Sequence, residues 1–347
     1  GGGGGGEMVS VNTYRRRIIK RQLSFDTKFR PNYFKSSPSN FKMVLATPLK
    51  NVIAMRLISF EFPNVAYDID ATLGTNEFSI VYHPDGDTDF GSISDQTSQF
   101  FLNTTMDDVN NRYNVKRITG SIGGQGNETE HVNDGNTAIG YKIKYKIPSG
   151  NYQSNTVVSA LNNFNVLDGI AFSIDVKTGR CIITATDVSG GNPLDTDATF
   201  DLDFTNTIEP NMPITKNLGW KLGFRQLKYV GSTTYISEAP VDLGGQKVLF
   251  FCVDDYRTNV TENVSIVYEN SFMNKNILAR IPLRQGKFVV VYDSGGEGNG
   301  PRKSREYFGP VTIDKLHFRI LDEYGIDIRQ GYSDYSFGLE FDILYEK

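Results

Sequence analysis

The densest cluster of chemistry-bearing side chains in the 347 residues is Arg15, Arg16, Arg17, Lys20 and Arg21, five cations within seven residues. Such a cluster can neutralise phosphates, with an affinity that falls steeply with salt and carries no sequence preference. Tyr14, Phe25, Tyr33 and Phe34 interleave with or follow the charges, and aromatic faces stack on bases. The same residues suit a second chemistry, an arm lying along a neighbouring protein subunit. Phe25, Phe29, Tyr33 and Phe34 would then be anchors in pockets, with the cations meeting an acidic surface. The second reading is favoured because aromatics and prolines (Pro31, Pro38) continue well past the charge cluster.

Other candidate chemistries lack a necessary part. The three histidines, His83, His131 and His317, have no second ligand at a metal-like spacing. Asp85, Asp87 and Asp89 stand at the first three ligand positions of a calcium loop. Phe90, however, replaces the glycine needed next, and Gln96 replaces the bidentate glutamate. Gly120, Gly123, Gly124 and Gly126 precede no Lys-Ser/Thr and open no helix, so they form no phosphate cradle. No G-x-S-x-G elbow is present. The pairs Asp201/Asp203 and Asp254/Asp255 could in principle divide acid and base roles, but the first alternates with phenylalanine as a solvent face does. The chain is therefore read as no enzyme, with no catalytic residue, cofactor or metal.

The elements that must carry the basic segment are strands. Ile139, Tyr141, Ile143, Tyr145 and Ile147 alternate with Lys142, Lys144 and Lys146, and Phe200, Leu202 and Phe204 alternate with Asp201 and Asp203. A period of two with one charged face marks a half-exposed strand. The apolar run from Lys50 to Pro63 predicts a strand covered on both faces. Further strands are expected in NEFSIVY, GIAFSIDV, RCIITATD, QKVLFFCVDDY, NVSIVYE, KFVVVYD, VTIDKLHFRIL and SFGLEFDILYE. One helix is expected, SNTVVSALNNF, capped by Ser154 or Asn155 with Val157, Val158 and Leu161 on one face. Glycine-rich loops are expected at His83 to Ser98, Gly120 to Asn136 and Asp293 to Ser304. Trp220, between Gly219 and Gly223, reads as a core residue at a turn.

Composition agrees. Phenylalanine (23) and tyrosine (18) lift the aromatic share to 12%, and both residues favour sheet. Residues 1–50 hold ten basic and two acidic side chains, a charge of +8, so the remainder of this −4 chain carries −12. A basic arm on an acidic body predicts an anionic partner for the arm. Cys181 and Cys252 sit in apolar runs and read as buried free thiols in a reducing compartment. The four N-x-S/T triplets, at Asn103, Asn127, Asn259 and Asn263, read as chance. No stretch approaches the roughly 20 apolar residues of a membrane-spanning helix, and the first residues show no secretory signal. The expected organisation is an extended basic arm over 1–40 (Gly1 to Gly6 set aside), then β-sandwich parts over 41–210 and 211–347. One large domain or two fits the same strands.

Several motifs together resemble the minor capsid proteins of nucleocytoplasmic large DNA viruses. They are DTKFRPNYF (Asp26 to Phe34), SNFKMVL, PLKNVIAMRLISFEFPN (Pro48 to Asn64), IPSGNY (Ile147 to Tyr152) and LGWKLGFR (Leu218 to Arg225). FFCVDDY, NILARIPL, REYFGPV, LDEYG and DYSFGLEF continue the series in order over most of residues 24–347. The resemblance implies an all-β, jelly-roll-like β-sandwich in an icosahedral capsid, as a cement or vertex protein assembled in the host cytoplasm. The partners it implies are the major capsid protein, other minor capsid proteins and further copies of the chain. Two alternatives stay open, a nucleic-acid-binding or genome-tethering virion protein using the arm, and a β-sandwich lectin or receptor-binding module.

Overall fold

The computed structural model describes residues 17–83, 116–118, 140–163, 170–185, 199–258, 260, 262–274, 276–284, 286–293 and 303–345. Arg15, Arg16, His131, the aspartates at 85, 87 and 89 and nearly all of the three glycine-rich loops lie outside them. The chain forms two compact units, and they are nested rather than consecutive. Unit 1 comprises Gly1–Ala66 and Gln246–Lys347, and unit 2 is Tyr67–Gly245. This differs from the expected division at 210, because the strand entering before unit 2 pairs with strands that follow it.

Unit 1 contains β1 (Arg17–Asp26), β2 (Asn40–Pro63), β11 (Val248–Asp254), β14 (Ile277–Pro282), β15 (Val290–Asp293), β16 (Ser304–Leu321) and β17 (Ser336–Tyr345). Their order is β1-β17-β2-β16-β11-β14, with β15 also on β2, and every pairing is antiparallel. A two-stranded ribbon, β12 (Ile266–Val267) with β13 (Phe272–Met273), stands apart in pairing.

This sheet curls around its own core. The Phe25 ring on β1 lies 5.0 Å from Phe318 on β16, and Phe251 on β11 lies 4.8 Å from Phe337 on β17. Each pair is three strands apart, which in a flat sheet would be about 14 Å. Bulges supply the bend: the β2–β16 register shifts near Leu49, Val52 and Val311, where Asn51 takes φ 58° and Pro310 breaks the ladder. Asparagine tolerates the left-handed region better than other non-glycine residues.

Unit 2 is a two-sheet sandwich. One sheet is β4 (Lys116–Ile118), β5 (Gly140–Lys146), β3 (Glu77–His83), β8 (Thr199–Asp203) and β9 (Lys228–Ser232), in that spatial order. The other is β10 (Thr234–Pro240), β7 (Arg180–Ala185) and β6 (Ile170–Ile174). Their inner faces meet through Phe78 and Tyr145 on one side and Phe172 on the other, at 6.1 and 5.7 Å. Phe200, Leu202 and Phe204 are all buried, as the period of two requires.

The longest helix among the described residues, α1 (Ser154–Asn163), buries Val157 and Leu161. Asn162 ties it to the Phe172 backbone with two hydrogen bonds of 2.9 and 3.0 Å. Trp220 lies on the four-residue α2 (Leu218–Lys221), half-buried, with the Arg225 guanidinium 4.0 Å from its ring. A Cβ at Gly219 would lie 2.4 Å from the Phe204 ring, so only glycine lets the turn close there. The all-β sandwich read from the sequence is the architecture the chain adopts.

Candidate partner-binding surface

The basic segment is strand before it is surface. β1 pairs with β17 residue for residue, from Arg17 opposite Tyr345 to Asp26 opposite Ser336. Odd-numbered side chains share the face of Leu23 and Phe25. Phe25 is 5% exposed and stacked on Phe337 at 5.1 Å, so it belongs to the chain's own core and is not on offer to a partner. Burial of so large a ring outweighs any gain from leaving it for an interface.

Even-numbered side chains lie on the opposite face, where Lys20 meets Glu340 at 3.3 Å and Asp342 at 3.6 Å. Gln22 donates to Glu340 at 2.9 Å. Arg56 on β2 grips both Asp342 oxygens, at 3.0 and 2.6 Å, and also donates to Glu340. The Gln22 hydrogen bond, with help from Arg56 and Lys20, holds the Glu340 carboxyl below its ordinary range despite partial burial. The acidic body that the cations were expected to meet is thus, for Lys20, this chain's own β17. The side chains of Arg17 and Arg21 are exposed and make no ion pair or hydrogen bond among the described residues.

Beyond Asp26 the chain is knotted onto the loop before β17. The Asp26 carboxylate accepts from the Lys28 N–H at 3.0 Å and starts a single 3-10 turn, Thr27–Phe29. Arg30 is 4% exposed and uses all five of its N–H donors. They go to Asp334 Oδ1 (2.7 Å), the Thr27 carbonyl (2.9 Å), the carbonyls of Tyr33 and Ser36 (3.0 and 3.3 Å) and Ser36 Oγ (3.0 Å). The Tyr33 ring covers the guanidinium at 3.9 Å while its hydroxyl donates to Asp334 Oδ2 at 2.7 Å. Thr27 donates to Asp334 at 2.6 Å. Burial works to raise the Asp334 carboxyl, but the hydrogen bonds from Thr27 and Tyr33 and the Arg30 charge outweigh it and leave it lowered.

This knot holds three aromatics in water. Phe29 is 72% exposed, Phe34 85% and Tyr332 74%. Phe34 stands edge-on to Tyr33 at 5.3 Å and Tyr332 stacks beside Tyr33 at 6.5 Å. Of the expected anchors, Phe29 and Phe34 are exposed, Tyr33 packs between Phe34 and Tyr332, and Phe25 is core. Arg30, Tyr332 and Asp334 were not singled out from sequence, although Arg30 lies within RPNYF and Asp334 opens DYSFGLEF.

The remaining candidates are structural. Asp255 is buried against Arg305 (3.0 Å), Tyr307 and the Arg257 N–H (2.9 Å). Asp203 faces Lys228 at 3.8 Å. His317 is held by Asn40 at 2.6 Å, and burial lowers its pKa. Burial pushes the thiols of Cys181 and Cys252 up to about 12. Among the described residues no group of three or more His, Cys, Asp or Glu could hold a metal, and no helix is long and apolar enough to cross a membrane.

No protein-family model and no curated protein matches the sequence. Among solved structures the chain is similar to the penton protein of mavirus, at 8% identity over 94% of this chain and 99% of that one, with a TM-score of 0.42.

Proposed function

We propose that this protein is a structural, non-catalytic component of a large DNA virus capsid. It acts as a minor capsid protein, at a cement or vertex position, that binds major and minor capsid subunits around it in the virion. The observation that carries the reading is the exposed trio Phe29, Phe34 and Tyr332, set around a buried Arg30 that is paired with the half-buried Asp334. Rigid aromatics lose little conformational freedom on binding, which is why such residues dominate interface energy. The motifs running in order from Asp26 to Phe341 support the same reading.

Cryo-electron microscopy of the particle that contains this chain tests it. The reading expects Phe29, Phe34 and Tyr332 seated in pockets of adjacent capsid subunits. Finding them in solvent, with the first residues directed into genome density, overturns it in favour of a nucleic-acid tether.

A further inference from the structure

We propose that the outer edge of β1 is a strand-addition site for an extended acidic segment of a neighbouring capsid subunit. The inference rests on the capsid reading and names the chemistry of one contact.

β1 is the terminal strand of its sheet, and among the described residues no other strand pairs with its far edge. Such an edge presents a row of backbone donors and acceptors with no partner in the sheet. Proteins usually blunt long edges with charged side chains, proline, bulges or short strands. RIIKRQLSFD has no proline or glycine, and its ten pairs with β17 run without a register shift. The sheet's other terminal strand, β14, is six residues long, carries a register shift and ends on Pro282. Between these two terminal strands, and among the described residues, the β1 edge is the long and straight one, and charge alone guards it.

Charge selects the occupant. The Arg17 and Arg21 side chains project on one face of β1, with no ion-pair or hydrogen-bond partner among the described residues, and flank the half-exposed Ile19. A second copy of β1 would bring its own Arg17, Lys20 and Arg21 to the edge, with like charges about 4.8 Å away across the new strand pair. An acidic strand would instead place carboxylates beside Arg17 and Arg21 while its backbone completes the ladder. The cations thus exclude one class of strand and admit another.

The test uses the full chain and a ten-residue peptide alternating threonine and glutamate, with a threonine–lysine peptide as control, read by fluorescence anisotropy. The acidic peptide is expected to bind, the basic one not. Binding should weaken at least tenfold in the Arg17→Glu/Arg21→Glu variant with an unchanged circular dichroism spectrum. Two further acidic peptides, N-methylated at odd or at even positions, separate strand addition from plain charge attraction on the unaltered protein. Strand addition expects one of the two to lose binding at least tenfold and the other to bind like the parent. Equal binding by both overturns it. A concentration-dependent dimer that the acidic peptide dissociates also overturns it, by putting a second copy on the edge. If no peptide binds while microscopy finds the chain in the capsid, strand addition alone fails. Absence from the capsid instead removes the reading on which it rests.

Discussion

Arg30 and Asp334, 304 positions apart in sequence, meet as an ion pair of 2.7 Å in which the arginine side chain is 1% exposed. The pair fastens the segment after β1 to the loop before β17, beside the end of their ladder where Asp26 faces Ser336. Removing the partner of a buried charge costs about 3–5 kcal/mol, and the 22% exposure of Asp334 puts the loss here at the low end. Asp334→Asn is therefore expected to lower the stability of unit 1 by about 3 kcal/mol, read from the urea midpoint of tryptophan-independent circular dichroism. Unchanged stability would show that the knot is ornamental.

Phe25 and Phe34 are nine residues apart and should respond oppositely. Phe25→Ala removes a ring packed on Phe318 and Phe337, so it is expected to cost about 3–5 kcal/mol of stability. Phe34→Ala, at an 85% exposed position, is expected to leave stability within about 0.5 kcal/mol. Chemical denaturation of the two variants checks both.

The combined Phe29→Ala/Phe34→Ala/Tyr332→Ala variant should fold normally and fail to join the particle. Loss of anchors worth about 2 kcal/mol or more weakens association by more than tenfold. Co-sedimentation with assembled capsids, compared with the unaltered chain, reads the effect. Equal incorporation would remove the aromatic trio from the interface.

Acid should loosen β1 and the knot together. Glu340 and Asp334 both have folded-state pKa values below their ordinary 4.5 and 3.8. A lowered carboxylate contributes its full stability above the ordinary value and loses it as pH falls through the lowered one. The melting temperature is thus expected to hold level from pH 7 to 5 and to fall once pH drops below about 4.5. Glu340→Gln/Asp334→Asn should melt lower at neutral pH and show a shallower acid limb; an unchanged limb would assign the acid loss elsewhere.

Each unit carries one buried thiol, Cys252 in unit 1 and Cys181 in unit 2. With their pKa values raised to about 12, neither is a thiolate at pH 8, and neither is reachable. Labelling by a disulfide reagent should therefore track unfolding, and single Cys→Ser variants would report the two units separately. Rapid labelling of the native chain would contradict the burial.

Much of the fold was legible because it is local. The alternation that set Phe200, Leu202 and Phe204 against two aspartates is the alternation that buries them, and Val157 and Leu161 show the helical spacing that packs α1. Alternation reports which face is apolar, and a face needs no knowledge of its partner. The candidate site was legible only in part. Phe29 and Phe34 could be named from the run of aromatics, but the same run gave no sign that Phe25 turns inward.

Residue types and their order determined that this is an all-β chain with aromatic cores, two buried cysteines and a basic leading segment. Tertiary structure alone decided that this segment, from Arg17 onward, is a strand on β17, that the two units interleave in sequence, and that Arg30 and Tyr332 lie beside the expected anchors. The reason is sequence distance: Lys20 and Glu340 are 320 positions apart, as Arg30 and Asp334 are 304. A cation reads alike whether solvent or a carboxylate of its own chain lies beside it, and only the folded sheet brings the carboxylate there.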